Sequence, residues 1–158
     1  MEKLVKLLKQ NARLTNDQLG TMLNISANEV AAQIEKLEKE GIIYGYTAII
    51  DEEKFNKDTV TALMEIKVTP KSKYGYSDIA RTIARFKEVE SVRLMSGDYD
   101  LAVTVKCANI REIGAFVAER LSPIDGVLSI STHFVIGRYK ELGEEFVTDI
   151  DERGLASP

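Results

Sequence analysis

The sequence predicts an α+β chain, an N-terminal winged helix-turn-helix followed by a C-terminal ferredoxin-like βαββαβ domain. Three observations lead there. Two helix-start signals stand close together near the N-terminus, a strictly alternating apolar run begins at Thr59, and the elements after it follow the order strand, helix, strand, strand, helix, strand.

Taken in order, residues 4–10 space their apolar side chains at helical period between lysines, which predicts an opening helix and not the continuous apolar stretch of a signal peptide. Thr15-Asn-Asp-Gln18 and Ser26-Ala-Asn-Glu29 both fit the capping box, in which hydroxyl and N3 side chain satisfy each other's orphan amides. The first box predicts a short helix carrying Leu19, Met22 and Leu23. The second predicts a longer one with Val30, Ile34 and Leu37 inward, stopped by Gly41. With only Asn24 and Ile25 between them, the two form a helix-turn-helix covered by the opening helix. Ile42 to Ile50 is rich in β-formers and is expected as a wing or strand.

Charged residues 51–58 are expected as a linker between a domain spanning 1–50 and one spanning 59–142, with 143–158 a polar tail. Thr59 to Thr69 places Val60, Ala62, Met64, Ile66 and Val68 on one face, a half-buried strand ended by Pro70. Ser77 is expected to cap a helix striped by Ile79, Ala80, Ile83, Ala84 and Phe86. Val92–Ser96 and Leu101–Cys107 flank the turn Gly97-Asp98-Tyr99-Asp100 as a hairpin. Asn109 with Glu112 caps a second helix carrying Ile113, Phe116, Val117 and Leu121, and a last strand runs from Val127 to about Tyr139. Both helices would cover one face of an antiparallel sheet. The other face is left to self-association, through burial of apolar area worth roughly 25 cal/mol per Å².

Composition narrows the function. The net charge of −4 argues against non-specific coating of nucleic acid, which depends on neutralising phosphates. Residues 1–50 hold six basic and six acidic side chains, so the remainder carries the whole negative balance. No run approaches the ~18 apolar residues of a membrane span, and a single cysteine, Cys107, allows no internal disulfide, so a cytoplasmic setting is expected. One His and one Cys make no typical metal cluster, and nucleophile-elbow, zincin, P-loop and dinucleotide motifs are absent from the sequence. No catalytic residue, metal or cofactor is expected. An enzyme using a cavity between subunits, with Asp98 and Asp100 as an acid/base or metal pair, is the remoter alternative.

The motifs Asn11-Ala-Arg-Leu-Thr15, Leu37-Glu-Lys-Glu-Gly-Ile-Ile43, Gly45-Tyr-Thr-Ala-Ile-Ile-Asp51, Ser96-Gly-Asp-Tyr-Asp-Leu101 and Gly126-Val127 occur in the order and spacing of the Lrp/AsnC regulators, which the chain resembles over nearly its whole length. The resemblance implies a homodimer, often assembled further to tetramers or octamers, that binds duplex DNA and responds to an amino acid or related metabolite. It places the effector near Gly97, Asp98, Tyr99 and Asp100 with residues of the last strand, Thr132 among them. An amino acid needs an acceptor for its ammonium group and donors for its carboxylate, which a carboxylate beside glycine-freed amides supplies. Without the resemblance, Gly-Asp-Tyr-Asp reads first as a good turn and Thr132 as a good β-former. His133 falls on the more polar face with Ser129 and Ser131, as a surface or interface residue.

The chain departs from that pattern in two places. Its opening helix is short, and the exposed positions of the second capped helix, where many relatives place basic residues, are Ala31, Ala32 and Gln33. Asn28 and Gln33 carry amides that pair bidentately with adenine, while Lys36 and Arg13 can hold phosphate. Few cations per subunit predict a shallow salt dependence and a need for several heads on one assembly. The alternative is a metabolite sensor of the same architecture that no longer binds DNA.

Overall fold

The computed structural model describes residues 1–55, 58–69 and 75–146. It divides into two compact units, Met1–Ile49 and Ile50–Pro158.

The first unit is three helices: α1 (Glu2–Gln10), α2 (Asn16–Leu23) and α3 (Ala27–Lys39). Both capping boxes form. The Gln18 amide donates to Thr15 Oγ1 at 3.2 Å while Thr15 N donates to Gln18 Oε1 at 2.9 Å, and Ser26 and Glu29 repeat the exchange at 3.2 and 2.9 Å. Leu4, Leu19, Val30 and Leu37 make the core, flanked by Leu8, Leu14, Leu23, Ile25 and Ile34. Of the three apolar residues α2 carries, Met22 is exposed. Gly41, at φ +66, ends α3 in a Schellman motif: its N–H bonds the Glu38 carbonyl, and the Ile42 N–H bonds Leu37 O at 2.9 Å.

Residues 42–50 depart from expectation. They form no strand, because β-formers need a neighbouring strand for their amides and carbonyls, and the described residues offer none. Tyr46 is held by its hydroxyl, which donates to Glu38 Oε1 at 3.0 Å. The stretch expected as a linker is also partly ordered: Asp51 accepts from the Lys54 amide at 3.3 Å and starts a helical turn, α4 (Glu52–Phe55), whose Glu52 pairs with Lys106 at 2.8 Å. Residues 56–57 of that stretch lie outside the described residues.

The second unit contains β1 (Val60–Val68), α5 (Tyr76–Ala84), β2 (Val89–Leu94), β3 (Leu101–Cys107), α6 (Ile110–Phe116) continued by a π-turn at Val117–Leu121, and β4 (Val127–Phe134). The sheet order β2-β3-β1-β4, antiparallel throughout, is the ferredoxin-like arrangement. Alternation in β1 buries Ala62, Met64, Ile66 and Val68 under Ile79 and Ile83 of α5 and Ile113 and Phe116 of α6, with Leu121 joining through the π-turn. There the Ser122 N–H reaches back five residues to Val117 O at 2.9 Å, and the wider turn brings Phe116 and Leu121 inward together. Asn109 caps α6 as expected, accepting from the Glu112 amide at 3.0 Å.

Three boundaries differ. α5 opens at Gly75, φ +58, so Ser77 lies inside the helix and does not cap it. β2 begins at Val89, earlier than expected, and its register on β3 shifts between Val89 and Ser91. β4 stops at Phe134, not near Tyr139: Phe134 lies opposite Ala62, one further backbone bond runs from Val135 N to Thr61 O at 2.9 Å, and beyond it Ile136 is 91% exposed. Beyond it, β5 (Lys140–Glu141) and β6 (Glu144–Glu145) form a minimal hairpin whose second strand falls in the stretch expected as a polar tail. Pro70, expected to end β1, and residues 147–158 lie outside the described residues.

The face of the sheet away from the helices is more polar than the apolar-burial argument assumes. By register it carries Thr61, Leu63, Glu65 and Lys67 of β1, Ser91 and Arg93 of β2, Thr104 of β3, and Ser129, Ser131 and His133 of β4. Ser91 and Thr104 share a hydrogen bond at 2.9 Å, and His133 Nε2 stands 3.6 Å from Glu65 Oε2.

Candidate nucleic-acid interface and effector site

In the first unit everything that positions α3 is short-range. Asn24 takes the left-handed conformation, φ 56 and ψ 47, which an Asn side chain tolerates, and turns the chain between the two helices. The turn packs so closely on α2 that a Cβ at Gly20 would stand 2.7 Å from the Ile25 carbonyl oxygen. Gly20 and Asn24 are therefore structural requirements of the motif that sequence reading passed over. The signal was present, as a glycine inside a capped helix has a conformational cost that needs a reason.

With Val30 and Leu37 inward, α3 turns Asn28, Ala31 and Ala32 outward, all exposed and at i, i+3, i+4 spacing. Gln33 is half-buried on the flank. Lys36 is exposed but pairs with Glu40 at 3.8 Å, and Lys39 donates to Glu35 at 2.6 Å. Both lysines of the helix thus have a carboxylate partner one turn away, and the Lys39 hydrogen bond and charge lower the pKa of Glu35. Arg13 stands apart in the exposed loop between α1 and α2, where its amide donates to Asn11 Oδ1 at 3.0 Å. The exposed surface offers an amide and two methyl groups with little free positive charge. Such a surface suits base-edge contact better than phosphate neutralisation.

In the second unit, two sequence motifs separated along the chain meet at one end of β1. The Val68 amide donates to Asp100 Oδ2 at 2.8 Å and the Asp100 amide donates to Ile66 O at 3.0 Å, locking the 97–100 turn against the strand from the β3 side. From the β4 side, Thr69 N donates to Gly126 O at 2.7 Å, and Gly126 is at φ +92 with Thr69 O and Ile79 Cδ1 inside 3 Å of where a Cβ would lie. Asp100 is therefore engaged by the backbone of its own chain. Gly97 and Asp98 are exposed and Tyr99 half-buried.

Thr132 is not brought to this turn. It lies opposite Met64, two positions further along β1 and on the β4 side, half-buried toward the helix-covered face. A register shift between Lys67 and Val68 leaves Leu128 without a place in the alternation that sets Ile130 and Thr132 on one face, and Ile136 lies past the strand's end. Among the described residues no group of three or more His, Cys, Asp or Glu side chains is placed to hold a metal, and no helix is long and apolar enough to cross a membrane.

A helix-turn-helix head followed by a ferredoxin-like domain defines a class, the two-domain transcriptional regulators in which one part binds DNA and the other a small molecule. Family models agree with both halves: residues 2–44 match a winged helix-turn-helix DNA-binding model, and residues 61–144 match the Lrp/AsnC ligand binding domain. The chain is 42% identical over 158 residues to the uncharacterized HTH-type transcriptional regulator YugG of Bacillus subtilis, covering 99% of this chain and 95% of that one. It is 34% identical over 140 residues to an uncharacterized HTH-type transcriptional regulator of Pyrococcus abyssi, covering 89% and 92%. Among solved structures, a Neisseria meningitidis transcriptional regulator in complex with L-Met superposes with a TM-score of 0.70 at 25% identity, covering 88% of this chain and 89% of that one. AsnC of E. coli shares the fold, with a TM-score of 0.66 at 21% identity over 87% and 91%. The chain belongs to the Lrp/AsnC family, whose members are transcriptional regulators and not enzymes.

Proposed function

We propose that this regulator works in the cytoplasm as a homodimer, assembled further to tetramers or octamers, that reads a two-fold symmetric operator with α3 and changes its assembly or head spacing on binding an amino acid or a related metabolite. The observation that carries the DNA part is the outward face of α3, where Asn28, Ala31 and Ala32 lie exposed on a helix opened by a complete capping box and packed on α2, which carries another. Gln33 contributes from the flank, and Lys36 and Arg13 hold phosphate. The effector part is supported by the matched ligand-binding model and by the L-Met complex of the Neisseria protein.

Since the 97–100 turn and Thr132 lie on opposite flanks of β1, the effector contacts Gly97, Asp98, Tyr99 and Asp100 from one subunit and a β4 surface such as Thr132 from another. An effector shifts the equilibrium only by its differential affinity for the two assemblies. The test is selection of duplexes from a random-sequence library by the purified protein at about physiological salt, then light scattering of the selected complex with each amino acid in turn, L-methionine first. A symmetric motif and an amino-acid-dependent change of mass or operator affinity are expected. Binding of the amino acid with no change in either would refute the switch.

A second reading has its own observation. With both α3 lysines paired to carboxylates, the head is electrostatically quiet, as a sensor acting through its second unit alone would be. Substituting Ala31→Arg together with Ala32→Arg separates the two readings. DNA binding gained where the native protein has none favours the sensor.

A further inference from the structure

The outward stripe of α3 continues one turn past Ala32. Asn28, Ala31, Ala32 and Glu35 stand at i, i+3, i+4 and i+7, the spacing by which a helix lying in the major groove aligns successive side chains with base edges. Glu35 and Lys39 are both well exposed and joined at 2.6 Å, so a carboxylate and its own counterion occupy the C-terminal end of this surface. On a DNA-facing helix an acidic side chain repels phosphate, and a helix selected only for backbone affinity would not hold one there.

Resting on the reading that α3 enters the major groove, we propose that Glu35 is a specificity-determining residue whose carboxylate accepts the N4 amino group of cytosine, making each half-site select a C·G pair at that position. The chemistry of base edges favours cytosine. Guanine presents only acceptors, N7 and O6, and thymine the O4 acceptor, all of which repel a carboxylate. Adenine offers N6–H but sets its own N7 lone pair beside it, whereas cytosine carries a C5–H on that side of its N4 amino group. Lys39 holds Glu35 ionised, acceptor-only, and offsets its repulsion from the backbone. The remaining stripe is suited to A·T pairs, with Asn28 on adenine and the Ala31 and Ala32 methyls against thymine methyl.

The test compares duplexes selected from a random library by the native chain, by Glu35→Gln and by Lys39→Gln, all at one salt concentration and with helicity checked by circular dichroism. The native motif should contain one cytosine position per half-site. Glu35→Gln should lose about fivefold or more of the preference there, with a drift toward adenine, and leave the other positions unchanged. Lys39→Gln should keep the cytosine while weakening all sites alike. An unchanged motif with Glu35→Gln, a uniform loss at every position, or the same base change with Lys39→Gln would each overturn the assignment. A native protein that enriches no motif would overturn the DNA-reading role of α3 together with it, and the native selection alone identifies that outcome.

Discussion

Asp100 is the residue at which local structure and effector recognition compete, and its substitution has a calculable consequence. Its Oδ2 accepts the Val68 amide at 2.8 Å in a half-buried position, joining the turn before β3 to the end of the central strand. Asp100→Ala removes a charge-assisted acceptor and leaves the Val68 N–H unpaired, while the Asp100 backbone bonds to Ile66 and Met95 remain. A hydrogen bond to a charged group contributes about 1.5–3 kcal/mol. In a domain of this size, each kcal/mol moves the midpoint by about 5 °C, so a fall of roughly 7–15 °C is expected. Asp100→Asn keeps a neutral acceptor and should lose about half as much. The assay is thermal unfolding followed by circular dichroism at fixed protomer concentration, since assembly makes the midpoint concentration-dependent. A fall under about 2 °C for the alanine variant, or identical falls for both variants, would refute the idea that the side chain ties the turn to β1. It follows that loss of effector response in Asp100→Ala does not by itself locate the effector. Exposed Asp98, changed to Asn, is the cleaner probe.

Other consequences can be measured directly. Gly20→Ala forces a methyl to 2.7 Å from the Ile25 carbonyl and should destabilise the head by about 1–3 kcal/mol, abolishing operator binding while the second unit keeps its own unfolding transition; normal binding would contradict the close approach. Glu29 is held below the usual carboxyl range by the Ser26 backbone amide first and its hydroxyl second, so its contribution is present above the unfolded-state pKa and is lost as pH falls through the lowered one. Acid unfolding of the head should therefore flatten in Glu29→Gln, and a profile identical to native would exclude this carboxyl as a source of it. Glu40→Gln releases Lys36 from its ion pair and should steepen the slope of log affinity against log salt by roughly 0.9 per engaged head, which salt titration of operator binding measures; an unchanged slope would place Lys36 away from phosphate.

What the sequence determined by itself is what depends on neighbours in the chain. The capping boxes at Thr15 and Ser26 and the Asn109 cap join residues three apart, the Gly41 stop is local, and the alternation from Val60 to Val68 needs only the pleat of one strand. These, with the order of the elements, settled the fold class. The stripe of α3 was equally readable, and its Glu35–Lys39 pair at i, i+4 could have been. Tertiary structure decided whatever required two distant segments to meet. Residues 42–50 have strand composition and no strand, since pairing depends on a partner that sequence does not supply. Asp100 had the chemistry of a ligand residue, and the approach of β1 gave its oxygen to Val68. The β1–β4 register set Thr132 opposite Met64, on the other flank of β1 from the 97–100 turn, and a register shift beside Val68 left Leu128 out of the alternation. Period and capping are properties of a short peptide; register, close backbone approach and the choice of hydrogen-bond partner arise only when the sheet is assembled.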